Sequence, residues 1–343
     1  MIREGSRNVH DRAKQHQERT QGFSPMTRQG ASEPYLSVVV PLFDEADNVA
    51  ALVKALIDEV SQGETTYELL LIDDGSRDAT WPGIQQASSQ NAHVRGIRLA
   101  RNFGHQHALL AGLSLSKGQV IITMDGDLQH PPSLIPELLR SHGEGYLVVN
   151  TRRDDVEISS YFKRTTSALF YKVFSFMTDV PMEPGSSDFR LLDRTVLDQL
   201  IQLKDVDLFL RGAVEWLGFP STVIPYTANP RFSGTTKYSL KRMLKFAKGS
   251  IISFSTKPLI LGIWLGVSTS ALAFLEILYI LYRVYTGRPV EGWASTVGIV
   301  SFLFGVLFIM LGIMGTYLSR IHVALQNRPR YIVMDRCDPR DAR

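Results

Sequence analysis

From about residue 36 to 153 the chain alternates short apolar runs with segments of helical spacing. The run LSVVVPLF (36–43) is rich in β-branched residues and nearly unbroken, which predicts a strand buried on both faces. At 47–60, Val49, Leu52, Val53, Leu56 and Ile57 recur at the spacing of one helix face. Further strands are predicted in YELLLIDDGS (67–76), at 94–99, in GQVIITMDGD (118–127) and in YLVVNTR (146–152), with a helix at 107–115. Strands alternating with helices predict an α/β domain whose mostly parallel sheet is covered on both faces. Ligands of such sheets sit beyond the carboxyl ends of the strands. The polar residues gather at those ends, as Asp44 and Glu45, Asp73 and Asp74, Asp125 and Asp127, and Arg152 and Arg153.

The rhythm changes after residue 257. Residues 258–275 hold no charge, the run continues past Glu276 to 282, and 292–319 holds none. Each run exceeds the ~20 residues that cross a ~30 Å hydrocarbon core, so membrane-spanning helices are predicted at 258–284 and 294–319. Lys237, Lys241, Arg242, Lys245, Lys248 and Lys257 precede the first, and Arg320, Arg328 and Arg330 follow the second. The connection, with its loop at 285–293, carries only Arg283, Arg288 and Glu291. That bias places the N-terminal domain (34–238) and both chain ends in the cytoplasm.

Residues 1–33 read as a disordered basic tail, and 320–343 as a cytoplasmic tail. No apolar stretch lies near Met1, so no cleaved leader is expected. The single cysteine, Cys337, fits a reducing compartment. Basic amphipathic segments at 161–177 and 239–254 suit a lipid interface, the second within a juxtamembrane helix at 239–257. Gly262, Gly266, Gly305, Gly312 and Gly315 permit close helix packing in the spans. A net charge of only +3 gives no case for nucleic-acid binding.

Four motifs carry chemistry. In MDGDLQHPP (124–132), Asp125 and Asp127 at a strand end offer hard oxygen ligands to Mg²⁺ or Mn²⁺, with a diphosphate completing the shell. In LLIDDGSRDAT (70–80), Asp73 can accept hydrogen bonds from a base or ribose, while Ser76 or Asp78 caps the next helix. SDFRL (187–191) sets an acid and a base around an aromatic and, alone, carries little. In RFSGTTKY (231–238), Arg231 and Lys237 flank a glycine-containing loop able to clamp phosphate, just before the basic helix.

Taken in order, PLFDEADNV, LLIDDGSRDAT, RNFGHQHALLAGL, MDGDLQHPP, SSDFRLLDR and RFSGTTKYS resemble the inverting family of dolichol-phosphate mannose synthase. The branch most similar is that of bactoprenol glucosyl transferases with two C-terminal spans. The resemblance implies a GT-A catalytic domain in a bacterial inner membrane. It implies transfer of a sugar, with UDP-glucose as the leading donor, to polyprenyl phosphate. It further implies that Pro41, Phe43 and Glu45 line the nucleoside pocket and that Asp73 contacts the base. Asp125, Asp127 and Gln129 surround the metal and diphosphate, Arg152 is the basic residue after the fifth strand, and Asp188 is the acid near the reacting sugar. Arg231 and Lys237 hold phosphate, and the assembly is a homotetramer. Asp44 departs from the family's usual asparagine, and Gly126 from its commoner alanine.

Rival readings are a processive polysaccharide synthase, a non-catalytic membrane scaffold and a dinucleotide-dependent dehydrogenase. The synthases' Gln-x-x-Arg-Trp is missing before Trp216, and no G-x-G-x-x-G follows the first strand.

Overall fold

The computed structural model describes residues 33–63, 65–154, 185–203, 209–229, 257–287 and 292–339. Most of the predicted tail at 1–33, both amphipathic segments, Arg231 and Lys237 lie outside the described residues.

The domain runs β1 (Leu36–Leu42), α1 (Ala46–Val60), β2 (Tyr67–Asp73), α2 (Thr80–Gln90), β3 (Val94–Leu99), α3 (His105–Leu115) and β4 (Val120–Thr123). It continues through α4 (Ile135–Gly143), β5 (Val148–Arg153), β6 (Ser186–Asp193), α5 (Arg194–Gln202), α6 (Leu210–Leu217) and β7 (Ser221–Tyr226). Two long helices, α7 (Lys257–Tyr285) and α8 (Trp293–Leu325), precede a last strand, β8 (Val333–Cys337).

The strands form one sheet in the order β7-β5-β6-β4-β1-β2-β3-β8. β1 lies parallel between β2 and β4, with Leu36 opposite both Tyr67 and Val120. Alternate residues of β1 feed opposite cores. Val38 and Val40 join Leu52, Leu56, Trp81, Ile84 and Leu138 on one face. Val39 joins Leu109, Leu113, Val196, Leu200 and Leu210 on the other. Burial on both faces explains why the central strands read as unbroken apolar runs. At Gly112 an added Cβ would lie 2.3 Å from Val39 Cγ1, so α3 lies close against the sheet. That contact fixes where the first turn of α3 points.

Two strands depart from the parallel pattern. β6 runs antiparallel between β4 and β5, pairing Thr123 with Arg190 and Asn150 with Arg190. β8 pairs antiparallel with β3, Gly96 opposite Cys337. The tail predicted at 320–343 therefore returns to the sheet. Arg95 bridges Glu68 and Asp338, each at 2.6 Å. The Ala100 N–H donates to Ile332 O at 2.9 Å, and Arg330 donates to Leu203 O. Strand β8 covers the edge of β3, which would otherwise present unpaired backbone groups.

The described parts of α7 and α8 include Gly262–Arg283 and Thr296–Leu325, both long and apolar enough to cross a membrane. A core helix of a soluble domain would be covered, yet Trp264 is 66% and Phe302 63% exposed. α8 runs past the predicted end at 319 to Leu325. Among the described residues, Gly262 alone of the five glycines meets a neighbour, Met310 Cε lying 2.4 Å from a built Cβ.

Truncation after Asn327 removes β8 and opens β3. The melting temperature of the detergent-solubilised protein, followed by tryptophan fluorescence, is expected to drop by about 5 °C or more. An unchanged transition would show that β8 adds nothing to the domain.

Candidate active site

The loops after β1 and β2 are sewn together. The Asp44 N–H donates to Ser76 Oγ (3.0 Å), that of Glu45 to Thr80 Oγ1 (2.9 Å), and that of Ala46 to Asp78 Oδ2 (3.1 Å). In return the Arg77 N–H donates to Asp44 Oδ1 at 2.9 Å. Asp44 sits at φ 53, in the left-handed region that Asp tolerates better than most residues. Its carboxylate thus ties the loops together. Asp78 Oδ1 also accepts from the Thr80 N–H (3.0 Å), serving the first turn of α2, whereas Ser76 serves the neighbouring loop and not the helix. Pro41 is buried in β1, and Phe43 and Glu45 are half-buried beyond it.

Asp73 is fully buried at the end of β2, Oδ1 accepting from the Ser76 N–H (2.9 Å) and Oδ2 facing Arg98 Nε at 3.2 Å. Asp74 accepts from the N–H groups of Phe103 (2.8 Å) and Gly104 (2.9 Å). Burial nevertheless pushes its carboxyl above the usual carboxylate value. Gly75, at φ 70, leaves no room for a side chain, since a Cβ would lie 2.5 Å from Arg101 C.

The acidic pair follows β4. Asp127 Oδ1 accepts from the Gln129 N–H (3.2 Å) across Leu128, which turns at φ 60. The Asp125 N–H donates to His130 Nδ1 at 2.9 Å. Burial pushes the His130 imidazole down in spite of nearby carboxylates, so it is neutral, its Nε2 2.9 Å from Ser187 Oγ and its ring stacked on Phe189. The pair is thereby fastened to β6. Gln129 Oε1 accepts from Arg153 Nη1 at 3.0 Å, while Arg152 pairs with Asp154 at 3.3 Å, 42% of its side chain exposed. Of the two arginines ending β5, it is Arg153 that reaches Gln129.

Asp188, on β6, is heavily engaged. Its Oδ1 accepts from Arg211 Nε (2.7 Å) and its Oδ2 from Arg211 Nη2 (2.8 Å) and Gln106 Nε2 (3.3 Å). His105 Nε2 lies 3.3 Å from Oδ2, and Arg190 Nη2 3.9 Å from Oδ1. Thr123 Oγ1 holds its backbone carbonyl at 2.5 Å. Burial opposes ionisation, but Arg211 and then His105 override it and hold the carboxyl well below the usual carboxylate range. His105 spans both acidic elements, its Nε2 also 3.5 Å from Asp125 Oδ1. Burial disfavours its charge, yet the hydrogen bond to Asp188 and the charges of Asp125 and Asp188 raise it to about 9.

The sequence reading placed Arg153 at the ligand end of the sheet without giving it a role, and assigned nothing to His105, Gln106 or Arg211. The left-handed Gly104 before His105 is the local signal that α3 starts two residues earlier than predicted. Arg211 had no local signal.

The donor set suits a hard divalent cation shared with a ligand. Asp125 Oδ1 is buried without a hydrogen-bond partner. Among the described residues no group of three or more His, Cys, Asp or Glu could hold a metal alone. Two carboxylates leave most of a shell to other oxygens, as a diphosphate would supply.

The profile of glycosyl transferase family 2 matches residues 37–201. The glycosyltransferase YkcC of Bacillus subtilis (strain 168) is 38% identical over 87% of this chain and 92% of its own length. The bactoprenol glucosyl transferase of Shigella phage SfII is 32% identical over 87% of this chain and 97% of its own. Among solved structures, the mannosyltransferase PcManGT of Pyrobaculum calidifontis, in complex with GDP-Man and Mn²⁺, aligns with a TM-score of 0.42. It is 13% identical over 86% of this chain and 92% of that one.

The raised value of His105 has a sign. Its charge stabilises the metal-free fold fully below the free imidazole value, and this is lost as pH rises through about 9. In EDTA the wild-type melting temperature is expected to fall between about pH 7 and 9.5, and His105→Gln to flatten that fall. Parallel curves for both proteins would contradict the assignment.

Proposed function

Because the chain belongs to glycosyl transferase family 2, we propose that it moves a sugar from a nucleotide-sugar donor onto the phosphate of a polyprenyl lipid at the cytoplasmic face of a bacterial inner membrane. The bactoprenol glucosyl transferases among its relatives support this acceptor and make UDP-glucose the first donor to test.

One observation carries the reading: both oxygens of Asp188 are engaged. A sugar hydroxyl becomes a good nucleophile only when a base takes its proton. Asp188, gripped by Arg211, is unsuited to that task. A phosphate monoester has a second pKa of about 6 and arrives already charged. It needs positioning and neutralisation more than proton removal. The same observation weighs against a processive polysaccharide synthase, whose acceptor is a hydroxyl. A non-catalytic scaffold would have no use for Asp125 and Asp188 spanned by one imidazole.

The residues take these roles. Pro41, Phe43 and Glu45 line the nucleoside pocket and Asp73 contacts the base, on loops held rigid by the Asp44, Ser76 and Asp78 bonds. Asp125, Asp127 and Gln129 hold Mg²⁺ or Mn²⁺ with the donor diphosphate, and Gln129 steadies Arg153 toward the same anion. Arg152, paired with Asp154, lies farther out. Such a cation would supply Lewis-acid stabilisation of the charge on the departing diphosphate. Arg231 and Lys237, outside the described residues, hold phosphate as it enters from the bilayer.

α7 and α8 anchor the domain in the bilayer. Because β8 follows α8 closely and pairs with β3, the end of α8 lies beside the sheet, and two spans satisfy this with both flanks cytoplasmic. The catalytic domain is thus 34–238 plus the returning strand. The exposed Gly305, Gly312 and Gly315 of α8 suit packing between copies in a homotetramer.

The full chain in detergent, given Mn²⁺, undecaprenyl phosphate and radiolabelled UDP-glucose, is expected to form an organic-extractable glycolipid. GDP-mannose and UDP-N-acetylglucosamine serve as competing donors. Asp127→Ala is expected to lower the rate by about a hundredfold or more. Absence of glycolipid with every donor, or full activity of Asp127→Ala, would contradict the proposal.

A further inference from the structure

The grip on Asp188 is more elaborate than ion pairing requires. Arg211, in the first turn of α6, closes a fork on both carboxylate oxygens at 2.7 and 2.8 Å and donates its third nitrogen to Ser186 O at 2.9 Å. Gln106 backs it from α3. Its Oε1 accepts from the Leu210 N–H at 3.1 Å while its Nε2 donates to Asp188 Oδ2. Two helices and a strand therefore converge to occupy one carboxylate. Arg211 remains 30% exposed while Asp188 is 6% exposed, so solvent reaches the guanidinium more readily than the carboxylate it grips.

A glycosyltransferase holding a donor faces water as a competing acceptor. Water, unlike a phosphate, is a poor nucleophile unless a base removes its proton. Asp188 is the carboxylate near the acidic pair that the proposed metal would leave available, one imidazole away from Asp125. In hydrolysis the water oxygen bonds to the anomeric carbon and the bond from that carbon to the diphosphate oxygen breaks. Its electron pair leaves with the nucleoside diphosphate, and the water proton passes to the base. Asp188 could accept that proton only if an oxygen were released.

We propose that Arg211 is a specificity-determining residue that keeps this protein a transferase, by occupying both oxygens of Asp188 so that water finds no base. The inference rests on the proposed transfer to polyprenyl phosphate and adds to it the suppression of donor hydrolysis. Arg211 acts through Asp188 and is a positioning residue.

The test is the ratio of two products from one reaction. Full-length wild type and Arg211→Met, in detergent with Mn²⁺, radiolabelled UDP-glucose and undecaprenyl phosphate, are assayed for free glucose and for glycolipid. Arg211→Met is expected to raise the hydrolysis-to-transfer ratio about tenfold or more, a fraction of what a well-placed general base supplies. Adding Asp188→Asn is expected to abolish the rise, because the proton acceptor is then gone. Arg211→Lys, which keeps a cation but not the fork, is expected to show a smaller rise, and decides the matter if Arg211→Met is not recovered as a monodisperse protein. A ratio equal to wild type in the recovered variant, or a rise that survives Asp188→Asn, overturns the inference alone. Wild type that forms no glycolipid overturns the transfer reading, and this inference with it.

Discussion

The site is built around a carboxylate that its neighbours will not release. Asp188 lies on a buried strand, where an unpaired charge would be costly. Arg211 meets it with a planar fork, a geometry lysine cannot reproduce. Gln106 and His105 close on Oδ2, and Arg190 Nη2 lies 3.9 Å from Oδ1. Through His105 this anion is coupled to Asp125, so the clamp and the acidic pair form one electrostatic unit. Under the proposed transfer, such a site suits an acceptor that brings its own negative charge.

The sheet makes that unit possible. β6 is inserted antiparallel beside β4, so Asp188 arrives at the same edge as Asp125 although the two are far apart in sequence. α3, pressed close to β1 at Gly112, delivers His105 and Gln106 from above. His130 fastens the acidic loop to β6 through Ser187. At the far side of the sheet Arg95 joins β8 to Glu68, whose other oxygen accepts from Ser37 Oγ and the Lys117 N–H. The chain that leaves the domain for the two apolar helices thus comes back to close its sheet.

The central strands were legible because burial on two faces writes continuous apolar runs, and the acidic pair because it stands where such strands end. β6 was not recognised as a strand. Its buried Arg190 and Asp188 break the apolar pattern, and only the pairing with β4 and β5 shows that they lie inside. β8 is short and half-exposed, so its alternation was too weak to separate from a tail. Asp44, a departure from the family pattern, has a structural use once the Arg77 N–H is seen to bind it. Arg211 looked like any arginine in a helix. Its importance is entirely tertiary.

The most direct test of the claim that the acceptor supplies the nucleophilic charge is the pH dependence of kcat/KM for that acceptor. With undecaprenyl phosphate the acid limb is expected to inflect at about 6, the second ionisation of the phosphate. With a lipid phosphonate, whose second ionisation lies higher, the inflection should move up with it. An inflection that stays in place when the acceptor is changed would mean that a group on the protein governs the step, and would contradict the account.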